Sequence, residues 1–78
     1  MEWTEEENQL VKTFEMDSFS DIINRLDKVA EVANEMEHHP DFKVYGYKHI
    51  KFNLSTHDSN SITVKDHLLA KKIDEIFE

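Results

Sequence analysis

Asp17 to His39 reads DSFSDIINRLDKVAEVANEMEHH, and its periodicity decides the rest of the reading. Phe19, Ile22, Ile23, Leu26, Val29, Ala30, Ala33 and Met36 recur at three- and four-residue intervals, which predicts one amphipathic helix with a continuous apolar stripe. Ser18 and Asp21 have the spacing of a capping box, and Asp21 can pair with Arg25 one turn on. Val32 widens the stripe, so the helix is expected to pack on a sheet and also to touch a second subunit. Pro40 should end it, because proline disfavours helical geometry at His39 and has no N–H to donate.

On the C-terminal side, Lys43 to His57 reads as two strands about Tyr45-Gly46-Tyr47-Lys48, where the only glycine marks a turn. Ile50, Phe52 and Leu54 alternate with His49, Lys51, Asn53 and Ser55, the signature of a half-buried strand. If that strand runs regularly to its end, His57 falls on the polar face, away from the helix. Ser59-Asn60-Ser61 is then a turn. Thr63 and Asp66 suggest a second capping box, before a helix whose stripe is Leu69, Ile73, Ile76 and Phe77. On the N-terminal side, Leu10, Lys12, Phe14 and Met16, interleaved with β-branched Val11 and Thr13, predict a strand. Glu5-Glu6-Glu7-Asn8 would be a turn before it, with Trp3 in a short partner strand. Strands broken by helices on one face make an α+β fold.

The bulk numbers exclude several classes of function. Seventy-eight residues form one small domain, and the absence of cysteine removes both disulfides and thiolate zinc sites. So small a core favours oligomerisation. Seventeen acids against nine bases give a formal charge of −8, which repels phosphate backbones and argues against direct nucleic-acid binding. No apolar run is long enough for a membrane span and no signal region precedes Trp3, so a cytoplasmic protein is expected.

The chemistry-bearing residues cluster at the two ends of one connection. Glu37-His38-His39-Pro40-Asp41-Phe42 ends the long helix, and Ser55-Thr56-His57-Asp58 ends the strand. Histidine has the ordinary pKa nearest neutrality, so three of them suit proton transfer. Helix-end histidines are also favoured simply by the macrodipole. Neighbours on a helix point about 100° apart, so His38 and His39 share a ligand only if the helix has already unwound. His38, His39, His57 and Asp58 are ligand types for zinc or iron, but none has the spacing that sets two imidazoles on one helical face. Ser55 beside His57 lacks the elbow of a nucleophilic triad, and no phosphate-binding glycine loop is present. His49 and His67 read as surface histidines, and Asp66 as a helix cap.

These segments, with Asp66 downstream, resemble the pterin-4a-carbinolamine dehydratase family. Its pattern is an acidic residue, His-His-Pro, an acidic and an aromatic or aliphatic residue, a hairpin, then Thr/Ser-Thr-His-Asp/Glu. Trp3, Thr13 to Phe19 and Val29 to Ala33 extend the resemblance over nearly the whole chain. It implies an antiparallel four-stranded sheet with helices packed on one face, as a single domain over 1–78 without the N-terminal helix that members usually carry. It implies dehydration of 4a-hydroxytetrahydropterin to quinonoid dihydropterin in tetrahydrobiopterin recycling, alongside aromatic amino-acid hydroxylases, by a homodimer or homotetramer. The pterin is the substrate, and neither cofactor nor metal is implied. By position, His38, His39 and His57 would be catalytic, Glu37, Ser55, Thr56 and Asp58 would line the pterin site together with Phe42, and Asp66 would support it. Asn34 stands where a glutamate is often found, Phe42 where tryptophan is frequent, and Ser59-Asn60-Ser61 replaces a turn that is usually glycine-rich. Relatives also act as non-catalytic modules, as a dimerisation cofactor of a homeodomain transcription factor or an assembly factor for a carbon-fixing enzyme. That is the alternative reading.

Overall fold

The computed structural model describes residues 2–78. In chain order the elements are β1 (Thr4–Glu6), β2 (Gln9–Glu15), α1 (Phe19–Met36), β3 (Asp41–Tyr45), β4 (His49–Leu54) and α2 (Val64–Phe77). The four strands form one antiparallel sheet in the order β1-β2-β4-β3. The fold is α+β, with the sheet's inner face closed by both helices.

Strand parity builds the core. Leu10, Phe14, Ile50, Phe52 and Leu54 project to one side and meet Ile22 and Val29 of α1 and Leu69, Ala70, Ile73 and Phe77 of α2. Phe14, Phe52 and Phe77 pack as a mutual aromatic trio with centroids 5.2–6.1 Å apart. Burying side chains of this size contributes about 1.5–3 kcal/mol each. The outer face carries Thr13, Glu15, Asp41, Lys43, Tyr45, His49 and Lys51, and both helices pack on the opposite face.

The acidic run before β2 differs from its expected form. Glu5 and Glu6 belong to β1, and only Glu7 and Asn8 turn, both with positive φ (49° and 64°). Two left-handed residues match the twist of a tight hairpin, so the turn needs no more. Trp3 lies just before β1 and packs on the core. At the β3–β4 turn, Gly46 has φ +56°, and a Cβ there would come within 3.2 Å of the His49 ring, so both the dihedral and the space favour glycine.

Lys12 departs most from a simple reading of its strand. It shares the inward parity of Leu10 and Phe14, opposite Phe52, and only 5% of it is exposed. Its ammonium reaches Asp74 (2.8 Å) and Glu78 (2.7 Å) beside α2 and lies 4.7 Å from the Phe14 ring centroid. The Trp3 indole N–H donates to the same Asp74 carboxylate at 3.0 Å.

The helix that was expected over Asp17–His39 is shorter at both ends. Ser18 caps it, its hydroxyl accepting from the Asp21 N–H at 3.1 Å, while the Asp21 carboxylate holds Arg25 at 2.9 Å. The stop comes at Glu37, before Pro40 is reached. Glu37 turns left-handed (φ 53°, ψ 40°) and the His38 N–H donates back to the Ala33 carbonyl at 3.0 Å. This closing turn satisfies the last carbonyls of the helix and sends the chain off its axis.

Candidate active site

Ending α1 at Glu37 frees the two histidines from helical geometry. They no longer share the 100° offset of helix neighbours, and both line one open cleft of about 300 Å³. The opposite wall comes from the β4–α2 connection. Strand β4 stops at Leu54, three residues before His57; Thr56 makes an isolated bridge to Ser61, and the chain turns between them. His57 therefore escapes the strand parity that would have sent it to the outer face, and it lines the cleft with Thr56 and Asp58.

Behind the cleft lies a buried polar network. Asp66, in the first turn of α2, is completely buried. His38 Nε2–H meets its Oδ1 at 2.5 Å. Its Oδ2 accepts from the Thr56 hydroxyl and from the Thr63 backbone N–H, each at 2.9 Å. The two threonine hydroxyls are 2.7 Å apart. Burial alone would push the Asp66 carboxyl up. Hydrogen bonds from His38, Thr63 and Thr56 outweigh it and hold the carboxyl below its ordinary value of 3.8. Asp66 thus caps α2 and anchors His38 at once. Because an ionised carboxylate only accepts, His38 carries its hydrogen on Nε2 and leaves Nδ1 for the cleft.

His39 is solvent-exposed, and its Nε2 meets Asn34 Oδ1 at 2.8 Å. His57 and Asp58 stand exposed on the rim, as does Glu37. Of the residues singled out in the sequence, the structure thus gathers Glu37, His38, His39, Thr56, His57 and Asp58 around one opening, with Asp66 beneath. Ser55 is buried and does not line the cleft. Phe42 faces inward opposite Phe52 and lines a neighbouring apolar groove with Ile23, Leu26, Ala30 and Ala33 of α1. His39 and Pro40 form the wall between that groove and the cleft.

Asp41 and Lys65 also line the cleft and were not singled out. Lys65 had a signal: a cation in the first turn of a helix opposes the macrodipole. Asn34 as the partner of His39 had none beyond its place in the chain. Among the described residues, no three histidine, aspartate or glutamate side chains converge in a way that could hold a metal ion. No helix among them is long and apolar enough to cross a membrane. His49 lies on the outer face, stacked on Tyr45 with centroids 5.3 Å apart, and His67 is exposed on α2. Chemically, the cleft offers three imidazoles, one of them oriented by a buried carboxylate, within reach of one small ligand.

Residues 1–76 match the family model described as pterin 4 alpha carbinolamine dehydratase. A Sulfolobus acidocaldarius protein, provisionally named pterin-4-alpha-carbinolamine dehydratase, is 43% identical over 74 residues, spanning 95% of this chain and 80% of that one. A Herpetosiphon aurantiacus protein with the same provisional name is 40% identical over 75 residues, spanning 96% and 77%. Among solved structures, a transcriptional coactivator/pterin dehydratase from Brucella melitensis shares the fold with a TM-score of 0.92 at 24% identity, covering 97% of this chain and 82% of that one. A pterin dehydratase-like protein identified as a RuBisCO assembly factor in the alpha-carboxysome shares it at 0.79 and 20% identity, covering 97% and 89%.

Proposed function

The chain belongs to the pterin 4 alpha carbinolamine dehydratase family, and on that premise we propose that it dehydrates a 4a-hydroxytetrahydropterin to the quinonoid dihydropterin in tetrahydropterin recycling, by histidine acid–base catalysis in the three-histidine cleft. In this reaction the C4a–O bond breaks, the departing hydroxyl takes a proton and leaves as water, and the adjacent ring nitrogen gives up its proton as the C=N bond forms. Proton count and charge balance when one enzyme group donates and another accepts, so the site calls for one acid and one base, differently placed.

The observation that carries this reading is the His38–Asp66 pair at the floor of the cleft. A buried carboxylate engages Nε2, fixes the imidazole's orientation and leaves Nδ1 toward the cleft, which suits His38 to protonate the leaving hydroxyl. His39 and His57, across the opening, are the remaining proton carriers. Glu37, Thr56 and Asp58 supply hydrogen-bonding groups for the pterin edge, and no metal or further cofactor has a role. Ser55 and Phe42 would act from behind the walls, by holding Thr56 and the His39–Pro40 ridge in place.

A second surface supports a second role. The groove between α1 and β3 exposes Ile23, Leu26, Ala30 and Phe42, with half of Phe42 open to solvent. It suits a second copy of this chain, giving the homodimer or homotetramer expected of so small a core, and a heterologous protein partner would compete for it.

The test follows the absorbance decay of freshly generated 4a-hydroxytetrahydropterin with wild type, His38→Ala and His57→Ala in parallel. Acceleration by wild type, lost by about a hundredfold in His38→Ala, is the expected result. An unaltered spontaneous rate with wild type sinks the enzyme reading and leaves the binding module.

A further inference from the structure

The two adjacent histidines of the cleft have unlike partners. His38 meets a buried carboxylate, whereas His39 meets the uncharged amide of Asn34. Resting on the dehydratase reading, we propose that Asn34 is a positioning residue that makes His39 the proton acceptor of the reaction: its amide oxygen accepts from Nε2–H and leaves the Nδ1 lone pair to take the ring-nitrogen proton of the substrate.

Backbone geometry is the first support. Residues five apart on a continuing helix lie about 140° apart around the axis and do not meet. Asn34 and His39 meet at 2.8 Å only because Glu37 turns left-handed and folds the chain back over the last turn of α1. The same turn directs His38 inward to Asp66 and His39 outward to Asn34, so one backbone device sorts the pair.

Chemistry is the second. An amide oxygen orients an imidazole and selects its tautomer as a carboxylate does, yet adds no charge to favour the protonated ring. A carboxylate behind an imidazole favours the protonated form, in which a donor rests, whereas an amide leaves the ring to rest neutral, as an acceptor must. Unlike environments on neighbouring groups are how one site holds an acid and a base together. Besides His38, the titratable groups that line the cleft or the groove with His39 are Glu37 and Asp41 on its own segment, Asp27 on α1, His57 and Asp58 from the β4–α2 connection, and Lys65 on α2. Among the described residues the histidine ion pairs are His38 with Asp66 and His49 with Glu15, so none of these six groups pairs with His39. Asn34 is its one hydrogen-bond partner there.

Two readouts test the assignment. The first is the pH dependence of kcat for wild type, Asn34→Ala and Asn34→Asp, each also in a His39→Ala background. Asn34→Ala should lower kcat by about a hundredfold with KM little changed. Asn34→Asp keeps the hydrogen bond but adds a charge that favours the protonated ring, so the acid limb of kcat should move up by about one pH unit, with the rate recovering above it. Both effects should vanish in His39→Ala. Unchanged kcat and pH profile in both Asn34 variants, or effects that persist in His39→Ala, overturn the proposal. The second readout is the ¹⁵N NMR tautomer of His39 in protein without substrate. An Nε2–H tautomer whose proton exchanges with water more slowly in wild type than in Asn34→Ala is expected, and an Nδ1–H tautomer overturns the Asn34 assignment whatever the activity. If the tautomer is as expected but wild type does not accelerate dehydration, the dehydratase reading is what has failed, and the acceptor role fails with it.

Discussion

Helix α2 buries a charge at each of its ends, and the two clusters are built for different ends. At its N-terminus, Asp66 lies fully buried beneath a cleft and holds His38, Thr56 and Thr63. Toward its C-terminus, Asp74 and Glu78 hold Lys12, with the Trp3 indole and the Phe14 ring closing over it. Both clusters tie α2 to a distant part of the chain. Only the first sets an imidazole against its buried carboxylate, at a cleft that two further histidines line. The second pairs one ammonium with two carboxylates and holds no imidazole, and its contacts fasten the helix to β2. A buried charge becomes a candidate catalytic element through what it orients, and burial alone does not suffice.

Replacing Asp66 tests the contrast most severely. Asp66→Asn keeps the shape but removes the charge that orients His38, and dehydration should fall by about a hundredfold or more. The same variant should lose about 2 kcal/mol of stability by urea denaturation, since three charge-assisted hydrogen bonds weaken together. Full activity in this variant would place the chemistry elsewhere in the cleft.

Lys12→Met removes a charge at the other end while keeping the apolar stem in place. Asp74 and Glu78 are partly exposed and can be solvated, so the expected loss is only about 1 kcal/mol, with the dehydration rate unchanged. A fall in rate without a fall in stability would erase the distinction between the clusters.

The smallest effects are those of pH, and they separate the two ends by sign. The Asp66 carboxyl is held below 3.8, so its contribution is whole above that value and is lost as pH falls through the depressed folded value. For Lys12, burial alone would lower the ammonium, but Asp74 and Glu78 outweigh it and raise it above 10.5. Its contribution is whole below 10.5 and is lost as pH rises through the raised folded value. Asp66→Asn should therefore flatten the acid limb of the stability profile and Lys12→Met the alkaline limb. Lys12→Met should not change the profile's slope between about pH 5 and 9. An alkaline limb that survives Lys12→Met would show that the ammonium contributes nothing to folding.

Much of this architecture is legible in the chain. The stripe from Phe19 to Met36, the alternation of Ile50, Phe52 and Leu54, and the lone glycine at the hairpin each report a local period or a local dihedral. Those are properties of consecutive residues, and the backbone alone enforces them. The cluster of His38, His39 and His57 at the two ends of one connection is visible in the same way.

What the chain could not reveal depends on where elements end and what then meets. Strand parity placed His57 on the wrong face, because the period says nothing about the bridge from Thr56 to Ser61 that ends β4 early. Lys12 reads as a polar strand residue until α2 brings Asp74 across 62 positions of sequence to neutralise it. Asp66 explains itself as a cap, and its grip on His38 crosses 28 positions. The chain alone specified both helical stripes, the alternation of β2 and β4 and the presence of three histidines at one connection, since those follow from nearest-neighbour geometry. Only the tertiary structure decided which histidine faces a carboxylate and which an amide, because hydrogen bonds between distant side chains exist only once the packed core has fixed both backbones.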